Sequence, residues 1–228
     1  MRPTRRCLLA VLLCAALVCA CGGNESEAPP ADGVPARGNV LRLGSTAGGT
    51  HMDWMKTVYA NVGQSVLVQL PLTAYDKEGQ IHGLAAQRWQ VSADGLTWTF
   101  VLRDSLQWTD GAALTADDYA FALQRAVTQG YDFSWYWTRA AGVRNWVEVE
   151  SGALPLEALG VAAVDARTLT LTTTDPKAYI PGICAFWFPV PRHVNDRCGD
   201  EWAASDRNYV SSGPFMLVSW RRGDEIVL

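Results

Sequence analysis

The strongest constraint on the fold is the period-two spacing of apolar side chains in Leu96–Leu102. Apolar residues occupy every even position of this run, the period that is typical of a β-strand with one buried face. Asp94-Gly95, directly before the run, favours a tight turn, so Trp89–Val91 is predicted to be the partner strand. The chain is therefore expected to contain an antiparallel sheet that covers a core.

A helix is predicted after this hairpin. Thr115 has the properties of an N-cap, and Asp118 stands at the position that completes a capping box. The apolar residues that follow recur at helical spacing, which predicts a helix to about Val127. These residues are Tyr119, Ala122, Leu123 and Ala126.

Several weaker signals predict the other elements. Two more hairpins are expected, with strands 161–164 and 168–172 around Asp165-Ala166, and strands 216–220 and 225–228 around Arg222-Gly223-Asp224. A strand is predicted at 40–43, a helix within 58–70 that ends before Pro71, and turns at 76–79 and at 110–111.

The N-terminus is typical of an exported protein. Three arginines precede an apolar run from Cys7 to Ala20, a pattern that predicts a signal peptide over residues 1–20. A transmembrane anchor is the alternative, but the apolar run is short for a stable membrane-spanning helix.

The segment Val18–Cys21 resembles the lipobox of bacterial lipoproteins. This resemblance implies cleavage before Cys21 and a diacylglycerol on its thiol, which would anchor the protein on the extracytoplasmic face of the cell membrane. An ordinary signal peptide with an incidental cysteine is the alternative. Residues 21–38, which are rich in Gly, Pro and Glu, are predicted to be a flexible stalk.

The charge balance argues against nucleic acid as a partner. The 228 residues carry a formal net charge of −4. Loss of residues 1–20 would leave 16 basic and 23 acidic side chains, a formal charge of −7. No cluster of Lys and Arg is present, so a nucleic-acid surface is not expected.

No motif for catalysis or for a cofactor is found. The chain lacks a phosphate-binding loop, an HExxH pair and a Gly-x-Ser-x-Gly elbow. Asp117 and Asp118 could form a carboxylate pair, but helix capping explains Asp118 better. His51 with Asp53, or His193 with Asp196, could begin a metal site, yet each pair lacks a third ligand nearby. We therefore predict no enzyme, no cofactor and no metal.

Cys184 and Cys198 are predicted to form a disulfide. Both lie in the part of the chain that would be exported, where thiols tend to be oxidised. Their loop would contribute about 3 kcal/mol in the chain-entropy description. Two buried free thiols are the alternative.

One long run resembles a known family. Residues 83–118 contain GLAAQRW, VSADGLTWTF, LRD, WTDG and LTADD in this order. The run is similar to the signature region of the family 5 extracellular solute-binding proteins, the oligopeptide- and dipeptide-binding receptors of ABC transporters. PVPRH at 189–193 and SGPF at 212–215 are weaker matches, and the resemblance covers residues 40–228.

The resemblance implies a two-lobed α/β fold of the class II periplasmic-binding-protein type, incomplete at the C-terminus. Residues 39–72 and 160–228 would form part of a discontinuous first lobe, and residues 73–159 a small inserted lobe. The second large lobe is expected to be absent. Ligand-facing aromatics are expected at Tyr136 or Trp135, and the facing wall at Thr57, Val58 and Tyr59.

The implied function is capture of oligopeptides for delivery to the permease subunits of an ABC importer. A non-peptide ligand on the same scaffold, such as nickel, haem or an oligosaccharide, is one alternative. A secreted lipoprotein hydrolase and a remnant that binds nothing are two others. Trp89, Trp98 and Trp108 are expected to pack in the core, whereas Trp135 and Tyr136 could serve either packing or binding.

Overall fold

The structure is a computed structural model that describes residues 51–56, 66–131 and 133–228. The signal peptide, Cys21, the stalk and the strand predicted at 40–43 lie outside the described residues. Thr57, Val58 and Tyr59 also lie outside them. The helix predicted within 58–70 is described only in part, and residues 66–68 are helical.

Besides the helical residues 66–68, the described chain contains eight β-strands, four α-helices, one π-helix and three 3₁₀ helices. The strands are β1 (Thr73–Tyr75), β2 (Ile81–Gly83), β3 (Ala86–Val91), β4 (Thr97–Leu102), β5 (Val161–Ala163), β6 (Thr168–Thr172), β7 (Ser219–Arg221) and β8 (Glu225–Val227). The α-helices are α1 (Ala116–Gln129), α2 (Trp146–Glu150), α3 (Ile180–Ile183) and α4 (Arg192–Cys198). A π-helix spans Tyr136–Ala141, and 3₁₀ helices span Leu156–Ala158, Cys184–Phe186 and Gly199–Ala203.

A four-stranded antiparallel sheet of order β3-β4-β6-β5 is the largest sheet among the described residues. The side chains of Trp98, Phe100 and Leu102 on β4 are buried. Gly95 adopts the left-handed conformation that the turn before β4 requires, with φ of 74°. The strand, its turn and its partner strand are therefore confirmed, and β3 is longer than predicted.

The lobe boundary predicted at residue 160 lies within the sequence span of this sheet. Strands β3 and β4 precede residue 160, while β5 and β6 follow it, and β4 pairs directly with β6 through Trp98 opposite Leu171. The sheet thus connects the predicted inserted lobe with the returning segment of the predicted first lobe, and the boundary stays a prediction.

Helix α1 begins as predicted. The backbone N–H of Thr115 donates to Oδ2 of Asp118 at 2.9 Å, within a capping box. The apolar face of the helix is buried in the core. The helix continues two residues beyond Val127 and ends at Gln129, where Gly130 takes the left-handed conformation with φ of 61°.

Asp118 also connects α1 to the segment that resembles PVPRH. Its Oδ1 accepts a hydrogen bond from the backbone N–H of Arg192 at 3.2 Å, and its carbonyl accepts one from Val190 at 3.2 Å. Burial raises the pKa of Asp118 above its ordinary value, although these hydrogen bonds oppose the shift. The neighbouring Asp117 pairs with the Arg192 side chain, so both carboxylates have structural partners.

The SGPF segment packs against the backbone of residues 67–70. The N–H groups of Ser212 and Gly213 donate to the carbonyl of Val68 at 2.9 Å each. A Cβ on Gly213 would lie only 2.7 Å from the backbone nitrogen of Gln69. Glycine is required here because the two backbone segments approach too closely for a side chain.

The remaining predicted hairpins are confirmed in part. Strands β5 and β6 form the hairpin around Asp165, and β7 and β8 form the hairpin around Gly223. Strand β6 has the predicted bounds, and the other three strands are shorter than predicted. Strands β1 and β2 form a further hairpin across the turn predicted at 76–79. These two strands have only three residues each and are mostly half-buried, so they show no hydrophobic period.

Buried tryptophans contribute much of the core. Trp98 and Trp108 are buried as expected, and Trp89 is partly buried against the same cluster. No helix in the described part of the chain has both the length and the hydrophobicity that a membrane span needs.

Candidate ligand-binding surface

An aromatic cluster follows the C-terminal end of α1. Phe133, Trp135, Tyr136, Trp137 and Phe186 form what we call the aromatic wall. Phe133 and Tyr136 stack with ring centroids 4.7 Å apart, and Phe186 meets Tyr136 edge-on at 6.0 Å. Tyr136 and Trp137 begin the π-helix, and their rings meet edge-on with centroids 5.4 Å apart.

The consecutive residues Trp135 and Tyr136, the two candidates for the ligand-facing aromatic, differ in exposure. The two rings meet edge-on with centroids 5.8 Å apart. Trp135 is 46% exposed, whereas Tyr136 is half-buried and its hydroxyl donates to the carbonyl of Ile183 at 3.4 Å. Burial raises the pKa of Tyr136 well above its ordinary value, so this phenol stays neutral and Trp135 presents most of the open aromatic surface.

Two tyrosines that sequence reasoning missed lie close to this wall. Tyr75 and Tyr179 are each 54% exposed. The Tyr75 hydroxyl would be 2.0 Å from a Cβ on Gly182, and the Tyr179 hydroxyl donates to the carbonyl of Ala140 at 3.2 Å. Neither residue belongs to a periodic pattern, so the sequence carries no signal for their placement.

Aromatic faces of this kind favour contact with flat or apolar groups of a ligand.

The structure places no metal-binding group of three or more His, Cys, Asp and Glu residues within its described ranges. His193 pairs with Asp110 at 2.8 Å. His51 lies 3.0 Å from the carbonyl oxygen of Asp200 through Nε2 and accepts the Asp53 N–H at Nδ1.

A network of charged side chains joins three distant parts of the chain. We call Asp53, Lys56, Arg125, Tyr131 and Asp200 the Arg125 cluster. Arg125 donates to Asp53 Oδ2 at 2.6 Å and to Asp200 Oδ1 at 2.5 Å. Lys56 donates to the other oxygen of Asp200 at 2.6 Å. Arg125 and Asp53 are almost fully buried, so each compensates the charge of the other in the core.

Charges and hydrogen bonds within the Arg125 cluster favour the charged forms of Asp200 and Arg125. Burial alone would raise the pKa of Asp200, but hydrogen bonds from Lys56 and Arg125 hold it well below its ordinary value. Burial alone would lower the pKa of Arg125, and the charge of Asp53 together with the bond to Asp200 raises it instead. Sequence reasoning missed the cluster, because its members are far apart along the chain.

A cavity of about 320 Å³ lies beside this cluster. Its walls come mainly from α1 and α4, and they combine the apolar side chains of Phe121 and Leu156 with polar side chains. The polar side chains include Gln124, Thr128, Asn195 and Arg192. Arg125 and Asp200 also line it, and since they pair with each other, the cavity has no strong net charge.

The predicted disulfide is wrong in this structure, because Cys184 and Cys198 are both free thiols. Cys184 is buried in the core on the 3₁₀ helix that follows α3. Cys198 ends α4 and directs its Sγ–H to the carbonyl of Val194, one turn earlier in the same helix, at 3.2 Å. Each thiol is therefore held by its own local environment.

We expect the two thiols to differ in reactivity. Burial raises the pKa of Cys184 well above its ordinary value, so iodoacetamide should modify Cys198 in the folded protein and Cys184 only after unfolding. Peptide mapping by mass spectrometry checks this, with Cys198→Ser as the control. Failure of both residues to react in denaturant, followed by reaction after reduction, would show a disulfide instead.

Comparison with known proteins agrees with the family resemblance. Residues 80–228 match the sequence profile described as bacterial extracellular solute-binding proteins, family 5 middle. A probable deoxycholate-binding periplasmic protein of Escherichia coli, YgiS, is 33% identical over 86% of this chain and 37% of its own length. The dipeptide-binding protein DppE of Bacillus subtilis is 30% identical over 69% of this chain and 29% of its own length.

Solved structures show the same fold. OppA of Haemophilus influenzae, solved in complex with the peptide RPPGFSPFR, matches with a TM-score of 0.72 and 28% identity over 79% of this chain and 36% of that one. A periplasmic oligopeptide-binding protein of Borrelia burgdorferi matches with a TM-score of 0.70 and 29% identity over 82% of this chain and 37% of that one. The chain thus spans little more than a third of the length of these proteins.

Proposed function

The chain belongs to the family 5 extracellular solute-binding proteins, and from this premise we propose that it captures oligopeptides outside the cytoplasm for the permease of an ABC importer. Relatives named as dipeptide- and oligopeptide-binding proteins support peptides as the ligand class. In this proposal the protein breaks no bond in its ligand. Residues 39–72 and 160–228 contribute to the first lobe, and binding proceeds by closure of two lobes.

The observation that carries the proposal is the exposed face of Trp135 on the half-buried Tyr136. A large aromatic side chain that stays open to solvent beside a stacked, hydrogen-bonded partner is a preformed apolar contact surface. An extended peptide can place a side chain on this surface while its backbone forms hydrogen bonds elsewhere. Such a surface tolerates different side chains, as a general peptide receptor requires.

A titration of the chain with peptides tests this proposal. We expect RPPGFSPFR to shift the indole N–H resonance of Trp135 in ¹H–¹⁵N spectra, with a dissociation constant on the order of 100 µM. The affinity should be modest because the chain spans only 37% of the length of its relative YgiS. Mass spectrometry should find the peptide intact after prolonged incubation.

A pair of variants distinguishes the loss of a ligand contact at Trp135 from the effect of removing any exposed apolar side chain. Trp135→Ala should weaken peptide binding about tenfold, whereas Val147→Ala, which removes another exposed apolar side chain, on α2, should leave it unchanged. A folded chain that responds to no peptide, or equal losses in the two variants, would contradict the proposal.

A bile acid is the second candidate ligand. The relative YgiS is named as a probable deoxycholate-binding protein and matches 86% of this chain. The rigid, largely apolar ring system of deoxycholate suits contact with Trp135 and with the exposed rings of Tyr75 and Tyr179. A saturable response to deoxycholate without any response to peptides would favour this ligand.

We further propose that Cys21 carries a lipid anchor that holds the protein on the extracytoplasmic face of the cell membrane. The lipobox-like segment Val18–Cys21 supports this proposal, as do relatives named as periplasmic binding proteins. Cys21→Ser should move the protein from the membrane fraction to the soluble fraction. An unchanged distribution, with no diacylglycerol on Cys21 by mass spectrometry, would contradict the anchor.

A further inference from the structure

We infer that Tyr131 and Asp200 position the aromatic wall for ligand binding, an inference that rests on the proposed function. Tyr131 stands at the junction between α1, which ends at Gln129, and the wall, which starts at Phe133. Gly130 terminates the helix in the left-handed conformation. The direction of the chain beyond it therefore depends on the contacts that the next residues form.

Tyr131 is held at both its hydroxyl and its ring. The hydroxyl donates toward the two carboxylate oxygens of Asp200, at 3.0 and 3.2 Å. The guanidinium of Arg125 lies 4.9 Å from the centre of the ring, and the ammonium of Lys56 lies 5.4 Å from it. These cation–π contacts restrict the tilt of the ring, while the hydrogen bonds fix its end.

Asp200 is itself a rigid acceptor. Arg125 donates to one of its oxygens at 2.5 Å and Lys56 to the other at 2.6 Å. Arg125 is in turn fixed by the buried Asp53 at 2.6 Å. The carboxylate that Tyr131 contacts is thus held from two sides by groups that have little freedom to move.

Backbone contacts carry this constraint into the wall. The carbonyl of Tyr131 accepts the N–H of Ser134 at 2.9 Å, and the carbonyl of Phe133 accepts the N–H of Tyr136 at 3.0 Å. The rings of Phe133 and Tyr136 then stack, with Trp135 edge-on to both of them. A shift of Tyr131 would therefore displace the surface that Trp135 presents.

A double-mutant cycle tests whether Tyr131 acts through Trp135. Tyr131→Phe removes the hydroxyl but keeps the ring, and it should weaken binding of RPPGFSPFR about fivefold. In the Trp135→Ala background the same change should weaken binding by less than about twofold, because the residue through which Tyr131 acts is gone. Amide hydrogen exchange of residues 133–141 should become faster in Tyr131→Phe, while the global stability changes little.

Tyr209→Phe is the matched control, since it removes a buried hydroxyl that accepts a hydrogen bond from Gln69 and lies outside the Arg125 cluster. It should leave both peptide affinity and exchange of residues 133–141 unchanged. Equal losses from Tyr131→Phe in the two backgrounds, or no loss in either, would overturn the inference. If the wild-type chain binds no peptide, the proposed function fails, and amide hydrogen exchange of residues 133–141 then tests the positioning role of Tyr131 by itself. Unchanged exchange in Tyr131→Phe overturns this role, and faster exchange supports it.

Discussion

Replacement of Arg125 by alanine should lower the free energy of unfolding by about 3–5 kcal/mol, because it leaves the buried carboxylate of Asp53 without its main charge partner. Arg125 is only 5% exposed and bonds to both Asp53 and Asp200. Urea unfolding followed by tryptophan fluorescence measures the change. Arg192→Ala is the control, since Arg192 pairs with Asp117 on the surface and should contribute less than about 1 kcal/mol. Equal effects of the two substitutions would contradict the assignment of Arg125 to a buried pair.

The destabilisation by Arg125→Ala should also depend on pH. The folded-state pKa of Asp200 is lowered by hydrogen bonds from Lys56 and Arg125, so its contribution to stability is present above the pKa of the unfolded state, near 3.8. That contribution is lost as the pH falls from this value through the lower pKa of the folded state. The difference in the free energy of unfolding between the wild type and Arg125→Ala should therefore be constant near neutral pH and should become smaller only in strong acid.

Replacement of Trp187 by alanine should lower the free energy of unfolding by about 3–5 kcal/mol, as much as replacement of Arg125, because packing in the core is lost. Trp187 is fully buried, its ring meets Trp137 edge-on at 5.3 Å, and its indole N–H donates to the carbonyl of Tyr119 at 2.9 Å. The substitution would create a cavity in the core and remove the hydrogen bond from the indole N–H to the carbonyl of Tyr119. Thermal or urea unfolding measures the loss.

Trp135→Ala provides the matched control for Trp187→Ala. The same chemical change at a 46% exposed position should lower stability by less than about 1 kcal/mol. The pair thus separates a tryptophan that stabilises the fold from one that is available to a ligand. A large stability loss in Trp135→Ala would assign this residue to the core and weaken its proposed role in binding.

Elements with a local signal could be predicted from the sequence. The alternation before Leu102, the turn at Gly95 and the capping pair Thr115 and Asp118 each involve neighbouring residues, so their physical cause is contained in a short window. Trp135 and Tyr136 came instead from the family resemblance, and their role in binding stays a prediction.

Features that depend on tertiary contacts could not be predicted. The Arg125 cluster joins Asp53, Arg125 and Asp200, which no local pattern relates. The pairing of β4 with β6 joins strands that a long insertion separates, and no local pattern relates them. The disulfide failed because compartment and spacing do not specify the directions of the side chains, and the thiol of Cys198 bonds within its own helix.

The strand order β3-β4-β6-β5 has a consequence for biosynthesis. Strand β4 is complete at Leu102, yet its second neighbour β6 begins only at Thr168. While the intervening residues are being synthesised, β4 has an open edge that can pair with another nascent chain. Completion of the sheet requires a contact between segments far apart in sequence, which makes folding slow. A chain that ends before Thr168 should therefore be less soluble than a chain that contains all of β6, because only the longer chain can pair both edges of β4.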